Sequence, residues 1–292
     1  MQLLDGNKVK KDILRSLTEQ CKELAERYKC LPGLAVILVG DNPASQAYVG
    51  MKKKACESIG MVSFEHRLPS TISEDDLISC IDNLNKNQDV HGILLQLPLP
   101  DHLDSDKMLQ LIDPSKDVDG FHPQNVGKLL IGLPTFKSCT PYGVIKLMDY
   151  YDIDPTGKHV VIIGRSNIVG KPLATMLMQK DRIGNATVTV CHSQSENLAQ
   201  LTSQADILIA AIGRPYFVKS EMVKKGAIVI DVGINRVEDS ESDRGYKLVG
   251  DVDFDDVAPN VSAITPVPGG VGPLTIAMLM TNTLHSFKQF KN

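Results

Sequence analysis

The residues from His159 to Met178, HVVIIGRSNIVGKPLATMLM, have the types and spacing of a phosphate-binding turn. A strand runs into a turn holding Gly164 and Gly170, and a helix follows whose first N–H groups would face an anion. Five residues separate the glycines, so the run is not G-x-G-x-x-G, and one more strand-to-helix turn is the plainer alternative. The next strand ends at Cys191-His192-Ser193, where an NAD site usually offers an Asp or Glu to the ribose. This chain offers none there. Arg165 and Ser193 instead supply a cation and a hydroxyl suited to a 2′-phosphate, which favours NADP over NAD. A second set lies in the first half. Tyr48 and Lys52, four residues apart in ASQAYVGMKKKACESIG, project from one helical face. That shared register separates Lys52 from Lys53 and Lys54, which read as an ordinary solvated run. Gln96 interrupts the apolar run GILLQLPLP near its carboxyl end, and a buried amide there needs partners. Asp117 and Asp119 sit in KDVDG; calcium is rejected because Lys128 occupies the place where an EF-hand requires a bidentate Glu.

The elements that must position these residues read as α/β. Apolar runs at 34–40, 61–68, 92–100, 159–164, 186–192, 206–213 and 227–233 alternate with helix-period segments. Continuous rather than alternating apolar character implies strands covered on both faces, hence parallel sheets. At 292 residues and 42% hydrophobic, the chain can hold two cores. The irregular stretch 113–138 suits an inter-domain crossing, with the boundary placed near Cys139. Asn42 and Pro43 start the helix carrying Tyr48 and Lys52, and Ala47, Met51, Ala55 and Ile59 form its expected buried stripe. The loop Thr265–Thr275, TPVPGGVGPLT, is rigid and poor in side chains, so a flat ligand could approach its backbone.

Composition narrows the function classes. A net charge of -4 gives no basic footprint, and the aromatics form no stacking platform, so nucleic acid is not expected as a partner. Six cysteines without C-x-x-C and seven histidines without H-x-x-x-H support neither a metal nor a disulfide framework. The first twenty residues lack an apolar h-region and no run could span a bilayer, so no membrane association and a cytoplasmic location are expected.

Tyr48/Lys52, Gln96 in QLPLP, KDVDG, CTP at 139–141, GRSNIVGKP and PVPGGVGPLT together resemble the bifunctional methylenetetrahydrofolate dehydrogenase/methenyltetrahydrofolate cyclohydrolase family, in order and over nearly the whole chain. The sequence departs from the family's commoner residues at Ser195 and Leu274. The resemblance implies an N-terminal α/β catalytic domain (1–138 plus 268–292) and a C-terminal Rossmann-like doubly wound domain (139–267), with the last helix packing back on the first. It implies hydride transfer from 5,10-methylenetetrahydrofolate to NADP, then hydrolysis of the methenyl cation to 10-formyltetrahydrofolate in the same cleft. By the same resemblance Lys52 is the acid/base residue, Tyr48 and Gln96 orient it and the folate, and Asp119 binds the pterin. Leu97, Pro268, Gly269 and Gly270 complete the folate contacts. The dinucleotide contacts implied are Thr140, Gly164, Arg165, Ser166, Ile168, His192, Ser193, Gly213, Ile234, Gly272 and Thr275. A homodimer paired through the cofactor domains is also implied.

Those roles make a physical demand. A lysine titrating at about 10.4 must be lowered by roughly three units to act as a base near neutrality. Partial burial and a cationic substrate both push that way, and a neutral Gln96 holds the ammonium less strongly than a Glu would. Three rival readings stay open on the residues alone: a dehydrogenase without the hydrolytic step, a non-catalytic nucleotide-binding module, and another NADP oxidoreductase in which His192 would face the nicotinamide.

Overall fold

The structure, a computed structural model, describes residues 1–242 and 245–291. Its strands are β1 (Gln2–Leu3), β2 (Gly33–Val39), β3 (Val62–Leu68), β4 (Gly92–Leu95), β5 (His159–Ile163), β6 (Thr187–Cys191), β7 (Ile207–Ala210), β8 (Ile228–Asp231), β9 (Asn235–Glu238), β10 (Tyr246–Val249) and β11 (Ala263–Ile264). All seven apolar runs of the sequence become strands β2 to β8.

The chain forms two compact units of α/β architecture. The first comprises Asp12–Cys139 and Ile276–Asn292. Its sheet is parallel in the order β3-β2-β4, and every residue of β2 is buried, as a run that is apolar on both faces requires. Asn42 caps the helix Pro43–Ser58 by accepting from Ala44 and Ser45 N–H at 3.0 and 3.1 Å. Leu77, Ile81 and Leu84 on the helix Glu74–Lys86 pack against Ala35, Ile37 and Val39 of β2. That helix starts at Ser73, which caps it, and carries Glu74, Asp75 and Asp76 in its first turn, where carboxylates favour the dipole. Its carboxyl end is closed by the buried Lys116, whose Nζ donates to the carbonyls of Leu84, Asn85 and Asn87 at 3.1, 2.7 and 2.8 Å. An ammonium meets three carbonyls at the helix's carboxyl end, so its burial is matched by acceptors and by the sign of the dipole together.

The closing segment of this unit pins the loop that carries the aspartates. Asn282 donates to Val118 and Lys137 carbonyls at 2.8 and 3.0 Å, and Ser286 donates to the carbonyls of His91 and Ser115. The last helix therefore packs with the N-terminal catalytic portion, as the fold class anticipates.

The second unit, Met1–Lys11 with Thr140–Thr275, is a doubly wound sheet. Its order is β1-β11-β8-β7-β5-β6, with every pair parallel, and β5 lies between β6 and β7. Winding reverses at β5, which places a ligand crevice beyond the carboxyl ends of β5 and β7. A separate antiparallel hairpin, β9 with β10, follows β8.

The two compact units divide the chain differently from the expected domain limits at two points. Residues 1–11 group with the second unit because β1 adds to the sheet through β11, Leu4 N–H donating to Ile264 O at 2.8 Å. The return to the first unit comes at Ile276 rather than at residue 268, because Gly269 O accepts from Gly6 N–H at 2.9 Å and keeps the preceding loop with the start of the chain. No described helix is long and apolar enough to cross a membrane, and no cluster of His, Cys, Asp and Glu among the described residues could hold a metal ion.

Candidate active site

Lys52 is buried within its helix's inner stripe, made by Ser45, Val49, Lys52, Ala55 and Cys56. This corrects the stripe expected from sequence: Ala47 and Met51 are exposed, and only Ala55 and Ile59 are buried as expected. The displaced register has a polar cause. Lys52 Nζ donates to Gln96 Oε1 at 2.9 Å, so the amine has a partner inside and its four-carbon stem packs like an apolar residue. Tyr48, one turn earlier, remains 40% exposed on the adjoining face.

Gln96 lies one residue beyond β4 rather than within a strand. Its backbone N–H continues the ladder to Ile37 O at 2.9 Å, and its Nε2 donates to Leu97 O at 2.7 Å. That second bond leaves Oε1 facing the lysine. Burial pushes the Lys52 amine below the ordinary lysine range, while the nearby Asp119 carboxylate and Cys139 sulfur oppose the shift.

The two aspartates of KDVDG separate cleanly. Asp117 is buried and structural: its carboxylate accepts from Phe121 N–H at 3.2 Å, His122 N–H at 2.9 Å and Asn125 Nδ2 at 2.8 Å. Asp119 is half-buried and faces Lys52 and Cys139. Burial raises its pKa to about 6, with the Lys52 cation opposing and Asp117 adding to the rise. The Cys139 thiol is also held well above its usual range, by burial first and the Asp119 charge second. Lys52, Gln96, Asp119 and Cys139 thus form one connected group in this unit. An amine eased toward neutrality beside a carboxyl eased toward protonation gives that group a proton the two can share. The non-catalytic reading, which requires Lys52, Gln96 and Asp119 to point apart, does not fit this geometry.

In the second unit the turn after β5 is built by close backbone approach. A Cβ on Gly164 would lie 2.2 Å from Ala211 O, and one on Gly170 would lie 2.0 Å from Gly164 O. Only glycines allow the turn to close so tightly. The helix Gly170–Met178 has no side-chain cap, so its first N–H groups are not taken by a neighbouring hydroxyl or carboxylate at the Ncap. Arg165, Ser166 and Ile168 are exposed along this turn, and Ser166 Oγ accepts from Val169 N–H at 3.1 Å. After β6, His192 N–H donates to Ser195 Oγ at 2.9 Å and His192 Nδ1 accepts from Gln194 N–H at 3.2 Å, leaving Ser193 exposed. His192 is thus a turn residue at the end of β6. An uncapped helix start, a cation and a free hydroxyl at strand carboxyl ends fit a phosphorylated dinucleotide.

Thr140, Gly272 and Thr275 lie in this unit as well. Thr140 Oγ1 and Thr275 Oγ1 are hydrogen-bonded at 2.9 Å, and a Cβ on Gly272 would meet Ile234 Cδ1 at 2.8 Å. Pro268, Gly269 and Gly270 form the turn held by Gly6. Sequence reasoning missed the structural carboxylates Asp231 and Asp251; the signal available was an Asp beside a glycine or at a strand's end, as in IDVG and GDVD.

Comparison with known proteins gives concordant results. Residues 4–119 match the family model "Tetrahydrofolate dehydrogenase/cyclohydrolase, catalytic domain", and residues 138–291 match "Tetrahydrofolate dehydrogenase/cyclohydrolase, NAD(P)-binding domain". The bifunctional protein FolD of Prosthecochloris aestuarii is 55% identical over 294 residues, covering 100% of both chains. The crystal structure of the bifunctional FolD methylenetetrahydrofolate dehydrogenase/cyclohydrolase from Campylobacter jejuni is 52% identical and superposes with a TM-score of 0.93, covering 99% of each chain. The Trypanosoma brucei enzyme, solved with NADP cofactor and inhibitor, is 41% identical with a TM-score of 0.93, covering 98% of this chain and 97% of that one.

Proposed function

Because this chain belongs to the bifunctional methylenetetrahydrofolate dehydrogenase/cyclohydrolase family, and is an enzyme of that type acting on folate, we propose that NADP is its hydride acceptor and Lys52 its acid/base residue. The observation that carries the reading is the buried Lys52 amine held by a neutral amide. NADP, which the turn after β5 with Arg165 and Ser193 would hold, would supply a hydride acceptor for the one-carbon bridge of 5,10-methylenetetrahydrofolate, whose oxidation gives the 5,10-methenyl cation. An ammonium beside that forming cation would oppose it, whereas a neutral amine does not. Lys52 then takes a proton from the water that adds to the cation, and returns one to the ring nitrogen that departs as 10-formyltetrahydrofolate forms. Gln96, oriented by the Leu97 carbonyl, holds the amine without adding a charge. Tyr48 lies against the folate, and Asp119 accepts two hydrogen bonds from the pterin's amino and ring N–H groups. Pro268, Gly269 and Gly270 offer the substrate backbone rather than side chains. A homodimer, implied by the family resemblance, and a cytoplasmic location, expected from the sequence, belong to the same proposal.

Arg165 and Ser193 support NADP over NAD, since no acidic side chain stands at the end of β6 to claim the ribose hydroxyls. Arg165→Ala is therefore expected to raise the KM for NADP about ten- to a hundredfold, the loss of one or two charge-assisted hydrogen bonds, and to leave the KM for NAD unchanged. Steady-state kinetics with both dinucleotides checks this; parallel losses for both would remove the 2′-phosphate from the Arg165 assignment.

Gln96→Glu is expected to add an opposite charge beside Lys52 and raise its pKa. Hydrolysis depends on the neutral amine, so the rising limb of its pH profile should move upward by the same amount. An unchanged profile removes Gln96 from the tuning role.

A further inference from the structure

The loop after β7 turns three consecutive N–H groups toward one carboxylate. Asp251, wholly buried, accepts from Ile212 N–H at 2.6 Å and Gly213 N–H at 3.0 Å through Oδ2, and from Arg214 N–H at 2.9 Å through Oδ1. Asn235 Nδ2 adds a fourth donor at 2.9 Å. Four donors converging on one point require a group that only accepts, and an ionised carboxylate is the one side chain that does so at both oxygens. The fold has filled an anion nest with its own carboxylate.

Asp251 is itself held. The buried carboxylate of Asp231, the last residue of β8, accepts from Asp251 N–H at 3.0 Å, Val252 N–H at 2.8 Å and Gly233 N–H at 2.9 Å. Thr265 Oγ1 accepts from Asp231 N–H at 2.7 Å. Two carboxylates thereby fix the course of the loop 212–214 after β7 and of the segment 233–235 after β8. Both lie at carboxyl ends of the parallel sheet, where the dinucleotide crevice opens. Below, the N–H groups of Ile212, Gly213, Arg214 and Gly233 and the Asn235 amide are tied to these two carboxylates; above, Gly213 and Ile234 are open. A Cβ on Gly213 would have no heavy atom within 4 Å, and Ile234 is 42% exposed. A backbone so rigid beneath a bare upper face suits a surface held ready for a ligand.

We propose that Asp251, held in turn by Asp231, is a positioning residue for dinucleotide binding, setting the backbone of Ile212–Arg214 and Asn235 so that Gly213 and Ile234 present their open faces to the nicotinamide dinucleotide. The inference rests on the cofactor reading given above. Asp251→Asn keeps the shape but turns an NH2 group against N–H donors, so part of the nest loses its acceptor.

The test combines calorimetric titration of the full-length protein with NADP, hydrogen exchange of the Ile212–Arg214 amides without ligand, and steady-state kinetics. In Asp251→Asn those amides should exchange faster, and the Kd and KM for NADP should rise together by about tenfold, the order expected for a lost buried acceptor. The dehydrogenase kcat at saturating NADP should change far less than KM. An unchanged Kd overturns the positioning role. So does an equal fall in kcat and in hydrolysis of supplied methenyltetrahydrofolate with KM unaltered, which is what a purely structural residue produces. If Asp251→Asn does not fold, Asn235→Ala carries the same split at smaller amplitude, and an unaltered KM there overturns the proposal. A wild type that binds neither NADP nor NAD overturns the cofactor reading as well, whereas normal wild-type binding with an unaffected variant overturns the positioning role alone.

Discussion

Lys52→Met is expected to slow hydrolysis of supplied 5,10-methenyltetrahydrofolate by about a thousandfold, within the range that a positioned acid/base group contributes. Methionine nearly matches the buried stem in length, so the slot stays filled and the helix Pro43–Ser58 keeps its packing. The substitution removes a buried amine and leaves Gln96 Oε1 without its donor, a cost of about 1–3 kcal/mol that part of the relieved desolvation offsets. Denaturant unfolding should therefore show a folded protein. Hydride transfer needs no base at the carbon and should survive, with methenyl accumulating as NADPH forms. The wild-type hydrolysis rate should rise with pH through the depressed lysine pKa and level off below the ordinary lysine range, because burial favours the neutral amine. Lys52→Met should lack that rise. Hydrolysis within tenfold of wild type, with the rise retained, would put the acid/base group elsewhere.

Asp119→Asn should weaken folate binding by about a hundredfold, since a paired set of charge-assisted hydrogen bonds to the pterin becomes at best one neutral acceptor. The pH dependence sharpens this. With its pKa raised to about 6, Asp119 is ionised at neutral pH and protonates as pH falls through 6. Wild-type folate KM should climb over that interval, and the variant's should not. A raised carboxyl pKa also means that the folded state holds the proton more tightly than the unfolded chain does. Ionised Asp119 thus costs stability above pH 6, and the Asn variant should unfold at higher denaturant at pH 8 than wild type does. Asp119 also holds the Lys52 pKa up, so its removal should move the rise in the hydrolysis profile to lower pH. An unaltered KM with an unaltered profile would separate Asp119 from both folate and lysine.

The sheet strands that carry the chemistry were legible in the sequence because they are buried on both faces. LAVILV and VVII are apolar without interruption, and both became interior strands of their sheets. Strands β1 and β11 were not legible, since two residues leave no period to read, and their pairing is what draws residues 1–11 into the second unit. The hairpin of β9 and β10 was hidden because its strands are four residues each, NRVE against YKLV, with Val249 alone buried. The buried stripe around Lys52 was misplaced because hydrophobic spacing has no way to count an amine as an inward residue; only its hydrogen bond to Gln96 makes it one. Asp117 and Asp119 could not be told apart from KDVDG alone. What separates them is three-dimensional: one carboxylate is consumed by the N–H groups of Phe121 and His122 and the Asn125 amide, and the other is left facing a lysine. Lys116 was overlooked for a similar reason, its three carbonyl partners lying about thirty residues earlier in the chain.

One chain carrying out both steps requires that Lys52 resolve the methenyl cation as it forms. A single reaction of wild-type protein with 5,10-methylenetetrahydrofolate and NADP, following NADPH and the methenyl chromophore separately, tests it most directly. NADPH should form with little methenyl at any time, and 10-formyltetrahydrofolate should be the product. Methenyl appearing one for one with NADPH and persisting would contradict it, leaving a dehydrogenase whose buried lysine serves position alone.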